Sequence, residues 1–162
     1  MAKESLIFTY YRFNQISELD NDDQIMVDQA FEALKGSYSP YSNFKVGAAV
    51  LLENGQIVLG ANQENAAYPS GLCAERVAMF AAKSQFPDVA VISLAIAVDS
   101  EIVQIKSPAA PCGACRQSLL EYELNQDSLI PVILATKEKG VLIVESVQSM
   151  LPLFFDKTNL EA

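Results

Sequence analysis

Apolar and polar positions along the chain switch between two periods, and the switches mark out its elements. Leu6 to Phe13 is apolar and aromatic with an imperfect alternation, which favours an extended segment. From Asp20 onward, Val27, Ala30, Phe31 and Leu34 recur at helical spacing. Asp20 or Asn21 can cap that helix, Asp22 and Asp23 suit the positive end of its dipole, and Gly36 supplies the stop. Period two returns at Phe44, Val46, Ala48 and Val50; Asn54-Gly55 fits a tight turn and Ile57 to Leu59 the return strand, so a hairpin is predicted.

A second helix is predicted over "SGLCAERVAMFAAKSQFP", with Val77, Phe80, Ala81 and Ser84 continuing the face on which Cys73 lies. "DVAVISLAIAV" is almost uninterruptedly apolar, as in a central strand covered on both faces. "SPAAPCGACRQSLLEYEL" gives a Pro-rich loop and then a third helix carrying Leu119, Leu120 and Glu123. "IPVILATKEKGVLIVESV" holds two short strands whose connection is too short for a parallel crossover, so these last two strands are expected to be antiparallel. "MLPLFFDKTNLEA" closes with an apolar helix turn and an acidic, frayed end. Together the elements predict an α/β fold of three layers, α/β/α, with a mixed and mostly five-stranded sheet. We expect an N-terminal extension over 1–20 and a single domain over 21–162.

Length and charge narrow the function. A chain of 162 residues, 51% of them hydrophobic, suits one domain with a sizeable core. Its formal charge of −9 would repel a phosphate backbone, which argues against DNA or RNA as substrate. No stretch approaches the roughly 20 apolar residues of a membrane span, and the opening residues do not read as a secretory signal. Thiols at metal spacing in such a chain suggest the reducing cytoplasm.

The candidate chemistry lies in two segments. The chain has three cysteines and no histidine, and the cysteines fall in Cys73-Ala-Glu-Arg76 and in Pro111-Cys-Gly-Ala-Cys-Arg116. At a helix start, Cys112 and Cys115 stand at i and i+3, on one side of the first turn. Three thiolates are one ligand short of a closed structural zinc site, and a zinc with three protein ligands keeps a position for water. Glu75 is then a carboxylate free to move protons. The Cys₃ ligand set with a non-ligand glutamate is the arrangement of zinc nucleobase deaminases. A thioredoxin-like dithiol would leave Cys73 and Glu75 unexplained.

With "SPYSNFKVGAAVL", "GANQENAAYPSGLCAER" and "PCGACRQ" in this order from about Tyr38 to Phe155, the chain resembles the homo-oligomeric cytidine deaminases that act on free nucleosides. The resemblance implies one Zn²⁺ per chain on Cys73, Cys112 and Cys115, with Glu75 as the proton shuttle. It implies hydrolytic deamination of cytidine and 2′-deoxycytidine in pyrimidine salvage. It further implies that Phe44 packs on the pyrimidine, Ala74 contacts the base through its backbone, and Asn62 and Glu64 hold the sugar. Arg76 would hydrogen-bond the ligand sulfurs and offset their charge, with Arg116 a second candidate for that role. The family assembly is a homotetramer, in which Ala66 and Tyr68 come from one neighbour and Phe155 from another. A blasticidin S deaminase would share the cysteine segments without the Asn62 and Glu64 pair, and a non-enzymatic zinc module would need a fourth ligand.

Overall fold

The computed structural model describes residues 1–160, so the acidic end expected to fray lies partly outside the described residues. Helix α1 (Asn21–Ala33) starts where Asp20 accepts a hydrogen bond from the Asp23 amide at 2.9 Å, and a short 3₁₀ turn over Leu34–Gly36 ends it. Strands β2 (Lys45–Leu52) and β3 (Ile57–Ala61) form the expected hairpin, with Gly55 at φ 80° in its turn. Helix α2 (Ala74–Gln85), strand β4 (Val91–Asp99) and helix α3 (Gly113–Leu124) follow. Strands β5 (Val132–Ala135) and β6 (Val141–Val144) are antiparallel, as their short connection requires.

The sheet has six strands in the order β1-β6-β5-β4-β2-β3, one more than expected. The extra strand, β1 (Tyr11–Phe13), comes from the N-terminal extended segment and pairs antiparallel with β6. Only these three residues of that segment join the sheet, opposite Val141 to Ile143 of the four-residue β6. Parallel pairing occurs between β4 and β5, across the crossover that contains α3.

Helix α1 packs on one face of the sheet through Met26, Val27 and Ala30, against Ala49, Ala95 and Ile133. Helices α2 and α3 pack on the other through Ala78, Met79, Leu119 and Leu120, against Ala48, Val50, Leu94 and Ile96. Strand β2 is therefore covered on both faces, although its sequence alternates like a half-solvated strand; its second face carries the small Gly47 and Ala49, with Leu51 as its one large apolar residue packed against the α1-side cluster. The buried side of α2 is also rotated from the expected one. Ala74, Glu75, Ala78, Met79 and Ala82 are buried, whereas Phe80 is partly exposed and its ring lies tilted against Tyr122. Gly60 on β3 explains why α2 seats on small residues: a Cβ there would fall on Ala78 N and Ala74 O, so the helix backbone lies directly on the strand.

Candidate metal centre and cleft

Cys73 and Cys112 occupy the same position in two helices, the residue before the first turn of α2 and of α3, and neither side chain caps its own helix. Both helices stand on the same face of the sheet, and their N-termini converge. The sulfurs of Cys73, Cys112 and Cys115 all lie within 4.8 Å of one another, with Cys112 and Cys115 at 3.4 Å. Sulfurs tetrahedrally arranged at about 2.3 Å from a zinc stand about 3.8 Å apart. The triad thus fits such an ion with small adjustments. Cys115 is fully buried, Cys73 half-buried and Cys112 exposed.

The electrostatics fit a cation as well. A hydrogen bond from Cys115 pulls the Cys73 thiol down to about 6; burial and Glu75 oppose this, and Arg76 assists it. Cys115 is pushed up by the same bond, by burial and by Glu75. Burial works against the charge on Arg76, but its contacts with Cys73 and Cys115 outweigh that and raise its pKa. Its Nε is buried without a hydrogen-bond partner. Arg116, the alternative offset for the thiolate charge, instead donates to the carbonyls of Pro111 at 2.8 Å and Met150 at 2.7 Å.

A cleft of about 800 Å³ opens beside the sulfurs, with Phe44, Asn62, Glu64, Tyr68, Cys73 and Glu75 on its wall. Glu75 is 4% exposed, a carboxylate facing a cavity next to three sulfurs. The loop after β3 is brought to Cys73 by a two-way backbone pairing of Gln63 with Leu72, both bonds at 2.9 Å.

Asn62 and Glu64 both grip the loop in front of β2. Asn62 Oδ1 accepts from Ser37 Oγ at 2.6 Å and Val46 N at 2.9 Å, and its Nδ2 donates to Phe44 O at 2.9 Å, leaving one N–H uncommitted. Glu64 accepts from the amides of Tyr41 at 2.9 Å and Ser42 at 3.3 Å and from the Ser42 hydroxyl. The Ser42 hydroxyl bond, aided by the two amides and opposed by burial, holds the Glu64 carboxyl below the usual range. Ser42 Oγ in turn accepts from Phe44 N at 3.0 Å.

Of the residues expected in the site, Ala66, Ala74, Cys115 and Phe155 lie off the cleft wall. Ala74 is buried, Ala66 is exposed, and Phe155 is exposed with its carbonyl accepting from Gln117 Nε2 at 2.9 Å. Tyr68 lines its own chain's cleft and packs edge-on against Tyr41, their ring centroids 6.1 Å apart. Ser37 and Ser42 were not anticipated; a serine two residues before Phe44 is the local signal of a side-chain turn that would have marked the second of them.

Comparison with known proteins agrees with this geometry. Residues 20–128 match the family described as the cytidine and deoxycytidylate deaminase zinc-binding region. A cytidine deaminase of Halalkalibacterium halodurans is 44% identical over 100 residues, 62% of this chain and 71% of that protein. One from Sporosarcina psychrophila is 39% identical over 139 residues, 86% of this chain and 95% of that protein. The crystal structure of cytidine deaminase from Burkholderia pseudomallei superposes with a TM-score of 0.70 at 32% identity, covering 85% of this chain and 100% of that one. With the matched region spanning the cleft loop and both cysteine segments, the chain belongs to the cytidine and deoxycytidylate deaminase family of zinc-binding enzymes.

Proposed function

We propose that this chain catalyses the hydrolytic deamination of cytidine and 2′-deoxycytidine to uridine and 2′-deoxyuridine, releasing ammonia, in cytoplasmic pyrimidine salvage. The observation that carries this reading is Glu75, buried on the wall of the cleft of about 800 Å³ beside the three-sulfur cluster. Cys73, Cys112 and Cys115 are the proposed holders of one zinc ion. When bound, zinc in a site with three protein ligands supplies a Lewis acid that makes water acidic near neutral pH.

Glu75 takes one proton from the attacking water and delivers it to N3 of the pyrimidine, then carries the second, from the new C4 hydroxyl, to the amino group, which leaves as ammonia as the C4–N bond breaks and the C4 carbonyl forms. One carboxylate serves each transfer, which suits a group held in a buried position with a short reach. Arg76 offsets the negative charge of the three thiolates from outside the ligand set. Phe44 packs on the pyrimidine and the Ala74 backbone meets the base edge. Asn62 offers its remaining N–H, and Glu64 its carboxylate, to the sugar hydroxyls.

We further propose a homotetramer. Ala66 and Phe155, off their own chain's cleft, are assigned to neighbouring sites, and Tyr68, at the exposed mouth, to the line where two chains meet. Ultraviolet absorbance assays on cytidine, 2′-deoxycytidine, cytosine and blasticidin S, together with zinc content per chain, test the reading. Loss of absorbance with both nucleosides and not with cytosine or blasticidin S is expected, at one zinc per chain. Turnover of blasticidin S alone, or of none of the four by zinc-loaded protein, overturns it.

A further inference from the structure

Helix α3 does more than deliver two cysteines to the cluster. One face of it holds the C-terminal segment at two points. Glu123, 3% exposed, accepts from Val147 N at 2.8 Å, Gln148 N at 2.9 Å and Ser146 Oγ at 2.7 Å, and from Ile130 N at 2.8 Å. Two turns earlier, Arg116 Nη1 donates to Met150 O at 2.7 Å. The carboxylate thus takes the amide end of the 3₁₀ turn Gln148–Met150 and the guanidinium takes its carbonyl end, each matching the partial charge it meets.

Arg116 has a second partner that Glu123 lacks. Its Nε donates to Pro111 O at 2.8 Å, and its backbone N–H to Cys112 O at 2.9 Å. Cys112 is the exposed member of the sulfur cluster and does not cap its own helix; of these two bonds, the one to Pro111 O is made by the Arg116 side chain and holds the residue just before it. A guanidinium presents its N–H groups in a rigid fork, and here the fork spans two segments far apart in the chain.

We infer that Arg116 is a positioning residue for the metal centre: it straps the loop carrying Cys112 to the C-terminal segment at Met150 and thereby slows loss of the ion through its most exposed ligand. The inference rests on the zinc reading above. Residues that orient metal ligands from outside typically contribute about 10- to 100-fold in affinity.

The test is zinc release from the loaded protein to a chromogenic chelator, with thermal unfolding measured on the same samples, for wild type, Arg116→Gln, Arg116→Lys and Glu123→Gln. Arg116→Gln is expected to release zinc about 10- to 100-fold faster than wild type. Arg116→Lys should fall between, because an ammonium is a point charge that cannot reproduce the fork. Glu123→Gln should unfold at lower temperature yet release zinc near the wild-type rate, since it holds the same turn without touching Pro111; Ser146→Ala replaces it if it does not fold. Wild-type release rates in the Arg116 variants overturn the inference, as do rates that merely track lost thermal stability in every variant. If Arg116→Gln does not fold, Arg116→Lys decides by the same comparison. Wild-type protein that holds no zinc removes the metal reading itself, and this inference with it.

Discussion

The carboxylate of Glu75 is the group on which the proposed chemistry turns, and its replacement separates metal binding from proton transfer. Glu75→Gln keeps the size of the side chain and is not among the three sulfur ligands, so zinc content and fold should be retained. Turnover should fall by about 10²- to 10⁴-fold, the usual contribution of a general acid-base. Metal analysis and steady-state rates on the same preparation check both halves, and near-normal turnover would assign the shuttle to another group. Residues of this kind were legible in the sequence because their chemistry is unusual for their setting: three cysteines with no histidine, and a glutamate two positions from one of them. Ser37 and Ser42 were not, because serine is common in loops and their partners Asn62 and Glu64 lie more than twenty residues away. The same distance hid the strap formed by Arg116, which read as a neighbour of Cys115 and proved to hold Met150.

At the scale of elements, the seating of α2 on β3 through Gly60 sets where Cys73 and Glu75 stand. Gly60→Ala should force the helix backbone away from the strand, costing about 1 to 3 kcal/mol as overpacking does. Because the strain is released at the start of α2, kcat should drop along with the unfolding temperature; thermal melts and initial rates test this, and an unaltered kcat would show that the helix tilts without moving its first turn. The order and type of the helices and of β2 to β6 were legible, since each carries a strong period or an apolar run bounded by turn residues. The buried face of α2 was not. Alanines at 74, 78 and 82 carry little apolar signal, and the larger Val77 and Phe80 drew the reading to the wrong side of the helix. Strand β1 was half legible: the sequence marks an extended segment, but which of its residues pair is set by a partner strand about 130 residues later in the chain.

For the whole molecule, light scattering is expected to report four chains. Phe155 is exposed and off its own cleft, so a Glu75→Gln protein mixed with an impaired Phe155→Ala protein should regain activity through hybrid sites. An active monomer would overturn the shared-site proposal. The sheet order has a consequence for synthesis of the chain. Its first strand pairs with its last, and the Arg116 side chain that holds the carbonyl before Cys112 is anchored on a carbonyl at residue 150. While the ribosome is still adding the final residues, Cys73, Glu75 and most of the sheet already have their partners, but the edge strand and the strap do not. A nascent chain halted before Met150 should therefore present its thiols to a chelator or an alkylating reagent at rates that fall abruptly once the last dozen residues have emerged.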